Sequence, residues 1–302
     1  MPELPDIAAY IEALQPRVLN QPIQEILVTN PFLLRSVDPP LSEAWGKQVI
    51  ELRRLGKRIV FGLEEDLFLV IHLMIAGRFH WKPSRQKVNR QTLALFVFPS
   101  GTLMLTEAGS KKRASMYFVR GDTLAAHDPQ GLEVLDADFG SFASRLTAEN
   151  HTLKRALTDP HSFSGIGNAY SDEILHAAGL SPLKLTKRLD ETEIRRLYDA
   201  TRSTLQFWID KLCKEAREAF PEKVTAFRPE MSVHGRYGKA CPRCGTPVQR
   251  IVYAANEANY CPSCQTGGRL LADRALSRLL KEDWPRTLEE LEQVKEQRAT
   301  RS

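Results

Sequence analysis

The sequence has little of what membrane-spanning, secreted or disordered chains require. Its longest apolar run, Leu67 to Ile75, is interrupted by His72 and falls well short of the roughly 20 residues that cross a bilayer. The N-terminal stretch MPELPDIAAY has neither a basic nor a long apolar segment, so we expect no signal peptide. Apolar residues make up 42% and charged residues 26% of the chain, which is ordinary for a soluble globular protein and excludes collagen-like classes.

The chain has only a small excess of charge of one sign. There are 42 basic against 37 acidic residues, a net charge of +5, which is a weak indication of a polyanionic partner. The 302 residues leave room for two domains, since a domain takes about 100 to 200 residues.

Cysteine is scarce, with five residues in the chain, but four of them form the pattern Cys-x2-Cys-x16-Cys-x2-Cys. Paired turns of this spacing present four thiolates tetrahedrally to zinc. The alternative is two disulfides, which need an oxidising compartment and hence a signal peptide. We predict one structural zinc ion, because four thiolates leave no open position for water or substrate. The predicted ligands are Cys241, Cys244, Cys261 and Cys264. Cys213 lies in the helical stretch FWIDKLCKEA and is expected to be an inert packing residue.

The first segment, residues 2–135, predicts a β-rich domain behind one helix. Apolar residues at helical spacing predict that helix from Asp6 to Leu19. Four strand-like runs follow: KRIVFGL, LFLVIHLMI, LALFVFPSGTLML with its Pro-Ser-Gly turn, and SMYFV. Many short strands at close spacing favour a sandwich or barrel over a parallel sheet.

The remaining chain divides into a helical segment, a zinc unit and an extension. Residues 136–230 predict the helices DFGSFASRL, HTLKRALTD, NAYSDEILHAA and DETEIRRLYDATRSTLQFWIDKLCKEA. Residues 231–265 hold the cysteines and an excess of basic side chains. Residues 266–302 predict a helix around Arg274 to Leu280, a break at Pro285 and a charged helix after Thr287. The predicted fold class is α+β, with a β-sandwich, a helical domain and a zinc ribbon.

The N-terminus holds a potential nucleophile. Removal of Met1 would leave Pro2 with a free secondary amine, which attacks aldehyde or acetal carbons well. An α-amino pKa of about 8 keeps part of such an amine unprotonated near neutrality. Glu3 is adjacent and can move protons. Proline is common at the second position, so this feature alone indicates little.

The N-terminal residues become informative in combination with other motifs. Six motifs occur along the chain in this order: PELPDI, RRLGKRIVF, HLMIAGRF, SFSGIGNAYSDEILHAAGLSP, HGRYGKACPRCGTP and YCPSCQ. Together they resemble the formamidopyrimidine-DNA glycosylase / endonuclease VIII family of base excision repair enzymes. The resemblance runs from Pro2 to Gln265 and leaves only the last 37 residues outside it.

The resemblance implies roles for particular residues. Pro2 would form a Schiff base with C1′ of the damaged nucleotide, Glu3 would act as the general acid and base, and Lys57 would reach the nucleotide and its phosphate. Gly165, Gly167 and Asn168 would lie in a helix–two-turn–helix that holds phosphates, because glycines let the backbone approach and a helix start is electropositive. Without the motifs, Lys57 would be interpreted as a solvated lysine. The glycines would be interpreted as a glycine-rich helix N-cap. A salt bridge and a catalytic role are both open for Glu173.

Further DNA contacts are expected from the same alignment, and the sequence departs from the family pattern in two places. Lys112, Arg113 and Ala114 stand where the family carries Arg-Arg-Phe, so the aromatic wedge is missing. The residue that fills the void left by a flipped base should come from Met74–Ala76. We expect DNA contacts from Met74, Tyr170 and Arg250. Asn256 and Glu257 occupy the region of the family's zinc-hairpin arginine.

The sequence therefore predicts a bifunctional DNA glycosylase and AP lyase of base excision repair. Its expected partner is double-stranded DNA with a damaged, oxidised base or an abasic site, which must be flipped out of the helix. We expect a monomer in the cytoplasm, associated with the nucleoid and not with a membrane. Two alternatives stay open. One is a DNA- or RNA-binding member without catalysis, and the other is an unrelated zinc-ribbon interaction protein.

Overall fold

The structure, a computed structural model, describes residues 1–253, 256–272 and 285–299. The chain divides into two compact units. The first comprises Met1–Glu133 with Leu205–Thr225, and the second comprises Val134–Thr204 with Ala226–Ser302. The observed division at 133/134 lies two residues from the predicted one. The structure differs in that the second half of the longest helix belongs to the first unit, and the zinc segment belongs to the second.

The first unit begins with helix α1, Leu4–Val18, which starts two residues before the predicted start. A capping box explains the difference. The backbone N–H of Glu3 donates to the Asp6 carboxylate at 3.0 Å, while the Glu3 side chain accepts from the Asp6 backbone. Such reciprocal bonds satisfy N–H groups that a helix start otherwise leaves without partners. The inner face of α1 buries Ile7, Tyr10 and Leu14.

Two four-stranded antiparallel sheets follow α1, in the orders β1-β6-β7-β5 and β2-β3-β4-β8. Their strands are β1 (Glu25–Val28), β2 (Val49–Leu55), β3 (Arg58–Leu63), β4 (Leu67–His72), β5 (Gly77–Lys82), β6 (Thr92–Phe98), β7 (Gly101–Glu107) and β8 (Ser115–Arg120). Side chains from both sheets and from α1 form one core, and Phe61 of one sheet stacks on Phe96 of the other at 6.4 Å. The predicted sandwich is confirmed.

Among the residues that the structure describes, three strands were not predicted, and all three lie at sheet edges. β1, β2 and β5 each have only one neighbouring strand. β2 and β5 carry several polar residues among few buried ones, because an edge strand meets solvent on one side. The predicted runs β3, β4 and β6 are almost continuously apolar, which is typical of strands buried on both faces.

The helices of the second unit lie close to their predicted positions. They are α2 (Phe139–Thr147), α3 (Leu153–Thr158), α4 (Asn168–Ala178) and α5 (Glu191–Glu218), of which α5 continues into the first unit. The zinc segment forms a hairpin of β9 (Gln249–Tyr253) and β10 (Asn256–Tyr260), followed by α6 (Pro262–Thr266). The charged helix after Thr287 is α7 (Leu288–Ala299). The helix predicted around residues 274–280 lies outside the described residues.

The zinc segment shares a unit with the helices for a physical reason. Its own apolar cluster consists of Val233, Cys241, Val248 and Cys261, with Cys264 packed against it. So small a core cannot supply the stability of an independent domain. Hydrogen bonds to α4 supply further anchoring, as described below. Among the described residues, no helix is both long enough and apolar enough to cross a membrane.

Candidate active site and zinc centre

Charged side chains of both signs act on the N-terminal amine just before α1. Burial lowers the pKa of the Met1 α-amine. Nearby Glu3 opposes this shift, and the positive charges of Arg78 and Lys57 add to it. A lowered pKa leaves more of an amine neutral near pH 7, and only the neutral form is a nucleophile. The predicted residues Glu3 and Lys57 are thus close enough to the N-terminal amine to influence its charge.

The side chains at this point are held tightly. Pro2 is buried, and Glu3 is 3% exposed with its carboxylate engaged in the capping box of α1. The helix thus fixes the positions of Pro2 and Glu3, which lie at the electropositive N-terminus of α1.

His72 belongs to this cluster, although the sequence interpretation assigned it no role. It ends β4, and its Nδ1 accepts the backbone N–H of Met74 at 3.1 Å. Burial, together with the charges of Arg58, Lys57 and the N-terminal amine, lowers the pKa of His72 to about 4. The imidazole is therefore neutral near pH 7. A polar residue interrupting the longest apolar run was the signal that could have identified it.

Two loops lie side by side at one end of the sandwich. His72 pairs with Ser115 across β4 and β8, and Gly77 pairs with Glu107 across β5 and β7. The crossovers 73–76 and 108–114 between these pairs are therefore neighbours. At the tip of the first, Ile75 is 58% exposed. Met74, the predicted contact, is half-buried in a left-handed conformation (φ 54°), so Ile75 is the apolar tip of this loop.

Loop 108–114 is folded around a buried carboxylate. Glu107 is 2% exposed, and its Oε2 accepts the backbone N–H groups of Arg113 (2.8 Å) and Ala114 (3.1 Å). The Lys112 ammonium donates to the Glu107 carbonyl. Lys112 is therefore used inside the loop, whereas the Arg113 side chain is exposed. Ala114 is buried.

In the second unit, the Gly-x-Gly-Asn turn leads directly into α4. Gly165 has a φ of 77°, which favours glycine, and Gly167 is the N-cap of the helix. Asn168 is half-buried, and its Nδ2 donates to the Glu257 carbonyl at 2.9 Å. Tyr170 is 1% exposed. Its side chain belongs to the interior, so the expected DNA contact by this ring is corrected to a packing role.

Two neighbouring carboxylates of α4 bind the segment that leads to the cysteines. Asp172 accepts from Nζ of Lys154 at 2.5 Å, pairs with Nδ1 of His234 at 2.8 Å, and accepts the backbone N–H of Asn259 at 3.1 Å. Glu173 accepts three backbone N–H groups, from Ser232 (2.7 Å), Val233 (2.9 Å) and His234 (2.9 Å). These bonds account for the buried carboxylate of Glu173 by a structural role.

The four clustered cysteines form a metal site. Their sulfur atoms all lie within 4.8 Å of one another, with 4.0 Å between Cys241 and Cys264 and 3.4 Å between Cys244 and Cys261. Four sulfur donors at such spacing fit a tetrahedral zinc ion. On the hairpin, Arg250 pairs with Glu257 at 3.1 Å and stacks over Tyr237 at 4.4 Å. Cys213 is buried, and burial raises the pKa of its thiol, as expected of a packing residue.

These features together define a DNA glycosylase of the helix–two-turn–helix class: a β-sandwich with a proline-headed helix, a Gly-x-Gly-Asn turn and a four-cysteine hairpin. Residues 1–132 match the formamidopyrimidine-DNA glycosylase N-terminal domain, 127–215 its H2TH domain, and 238–267 the zinc finger found in FPG and IleRS. The formamidopyrimidine-DNA glycosylase of Thermus thermophilus is 32% identical over 278 residues, covering 89% of this chain and 100% of the relative. The chain belongs to the formamidopyrimidine-DNA glycosylase family.

Solved structures agree with this assignment. The MutM (Fpg) protein of Thermus thermophilus matches with a TM-score of 0.74 and 30% identity, covering 87% of this chain and 98% of that one. The Lactococcus lactis enzyme, non-covalently bound to DNA with an AP site, matches with a TM-score of 0.77 and 26% identity over 87% and 99% of the two chains. The protein is thus a DNA glycosylase of base excision repair with one structural zinc ion.

Proposed function

We propose that this glycosylase is also an AP lyase, and that both activities proceed through a Schiff base at Pro2. Its substrate is double-stranded DNA with a damaged base or an abasic site. The observation that carries the proposal is the environment of the N-terminal amine. Burial and the charges of Arg78 and Lys57 lower the pKa of the Met1 amine. Removal of Met1 would make the nitrogen of buried Pro2 the terminal amine, one residue further along the same helix start.

The chemistry balances with this chain's own groups. The lone pair of the Pro2 nitrogen forms a bond to C1′ as the bond from C1′ to the base breaks, and the departing base takes up the proton that the proline nitrogen gives up. Glu3 carries protons as the sugar ring opens. The resulting iminium acidifies the 2′ hydrogens. One of them leaves as a proton while the 3′ phosphate departs with the electrons of its C–O bond, which cuts the strand by β-elimination, and water then hydrolyses the iminium to free Pro2. One covalent intermediate serves both steps.

The other groups of the cluster suit the rest of the nucleotide. Lys57 and Arg78 are cationic side chains suited to the flanking phosphates, and neutral His72 offers a ring nitrogen without adding charge. Ile75 is the exposed apolar side chain that can enter the stack when the nucleotide is flipped out. Arg113 is the exposed cation on the neighbouring loop. Asn168 and the start of α4 would bind phosphate in the second unit.

Substrate support comes from relatives. Lactococcus lactis Fpg has been solved with DNA containing an abasic site and with DNA containing Fapy-dG. The lesion preference of these relatives is not carried over to this chain, because its 108–114 loop has no aromatic residue. We expect a monomer that acts on nucleoid DNA in the cytoplasm.

Borohydride trapping on abasic duplex DNA tests the proposal. The wild-type protein should form a covalent adduct, and Pro2→Ala should form little or none. Pro5→Ala is the matched control, since it changes a buried proline of the same helix start without touching the amine. Intact mass should show that the adduct forms only on chains that lack Met1. A full yield of adduct from chains that retain Met1 contradicts the assignment.

The same assay separates the non-catalytic alternative. A binding module would retain abasic DNA in a gel-shift experiment and give no adduct with either the wild-type protein or the Pro2→Ala variant. Retention of DNA together with an adduct that depends on Pro2 supports the lyase.

A further inference from the structure

The C-terminal end of α4 lies directly against the zinc centre. Nε2 of His176 is 3.2 Å from Sγ of Cys241, and the histidine is 3% exposed. Two further hydrogen bonds join this end of the helix to the cysteine turns: Arg243 to the Ala177 carbonyl (3.3 Å) and Gln265 to the Leu180 carbonyl (2.9 Å). Of these three contacts, only that of His176 involves an atom that would bind the metal.

The chemistry of the donor set fixes the direction of that hydrogen bond. A zinc-bound thiolate has no proton, so its sulfur can only accept. The proton must therefore reside on Nε2 of His176, and the ring must donate it. Zinc with four thiolates carries a net charge of 2−, and Cys241 and Cys261 are buried. Buried charge is costly unless hydrogen-bond donors offset it, and Nε2–H of His176 is one such donor.

We infer that His176 is a positioning residue of the zinc centre, which donates a hydrogen bond to the Cys241 thiolate and fastens α4 to the metal site. The opposite end of α4 carries Asn168, which donates to the Glu257 carbonyl on β10. The zinc segment thus holds both ends of the helix that would approach phosphate. The inference about His176 concerns the metal site and stands whether or not Pro2 is the nucleophile.

Zinc release tests the inference without reference to catalysis. Zinc-loaded wild type, His176→Phe and His176→Gln are mixed with a chromogenic chelator, and the rate of metal transfer is followed. Partners of metal ligands typically contribute about 10- to 100-fold in affinity, so His176→Phe should release zinc at least about tenfold faster. His176→Gln keeps an N–H donor and should restore most of the retention. His151→Phe is the control, since the ring of His151 pairs with Glu149 in the same unit.

Cobalt substitution provides a signature that a merely structural role would not move. A hydrogen bond to a thiolate withdraws electron density from sulfur, so its loss should shift the sulfur-to-cobalt charge-transfer band of His176→Phe to longer wavelength. His176→Gln should keep the wild-type band. A folded His176→Phe protein with wild-type release rate and wild-type band overturns the inference. If His176→Phe does not fold with metal, His176→Gln decides: a wild-type band supports the bond, and a displaced band overturns it.

Discussion

The buried carboxylate of Asp172 should contribute more to stability than any surface carboxylate of the second unit. It is fully buried and holds the Lys154 ammonium, which is itself 3% exposed, at 2.5 Å. Asp172→Asn preserves the shape of the side chain and removes its charge. The Lys154 ammonium would then stay buried without a compensating anion, and the backbone N–H of Asn259 would face an amide in place of a carboxylate.

The magnitude follows from that burial. Breaking a buried ion pair by removing one partner costs about 3–5 kcal/mol, because an uncompensated charge is left inside. Glu193→Gln is the matched control, since the same carboxyl-to-amide change breaks the more exposed pair of Glu193 with Lys184 in the same unit. Such a pair contributes about 0–1 kcal/mol. Urea unfolding of the zinc-loaded proteins, followed by circular dichroism, should therefore separate the two variants by more than about 2 kcal/mol.

The unfolding curve of the second unit is the one to compare, because two compact units need not unfold together. Equal losses of unfolding free energy in Asp172→Asn and Glu193→Gln would refute the reasoning. So would a Lys154→Met variant as destabilised as Asp172→Asn, if the double variant of Asp172→Asn with Lys154→Met lost the sum of the two free energies. Pair-breaking predicts that the double variant recovers part of the loss, since no unpaired charge remains.

Four further outcomes are expected. Asn168→Ala should weaken binding to every duplex alike in a salt-dependent gel-shift assay, because phosphate contacts position DNA without reading sequence. Denaturing gels of labelled abasic DNA should show β-elimination ends early, and Glu257→Gln should raise the 3′-phosphate fraction by freeing Arg250 from its ion pair. Stability should fall as the pH falls from 6.5 towards 4, because the pKa of His72 is lower in the folded state, and His72→Gln should reduce that slope in thermal melts. Chelation of zinc should abolish DNA binding while the circular dichroism of the sandwich persists.

Much of the fold followed from local patterns in the sequence. Helix α4 was predicted at its observed bounds, because Gly167 precedes it, Gly179 closes it and apolar residues recur at helical spacing. The continuous apolar runs of β3 and β6 predicted buried strands, because short runs rich in β-branched and aromatic residues are typical of strands. The zinc ligands were also determined by the sequence, since two Cys-x2-Cys turns suffice to define a tetrahedral site and the structure places all four sulfurs together.

The remaining features depended on contacts between residues far apart in the chain. No local pattern predicts that His72 lies near Lys57, because the pairing of β3 with β4, which sets Arg58 opposite His72, decides it. Only the tertiary structure shows that Ile75 and not Met74 forms the exposed tip of loop 73–76. Likewise, the buried environment of Tyr170 and the contact between His176 and Cys241 exist only once α4 packs against the zinc segment. Local patterns sufficed to predict the helices, the inner strands and the groups that can do chemistry, but not the edge strands β1, β2 and β5. Burial and distance, which alone set a pKa or direct a side chain, were decided by the tertiary structure.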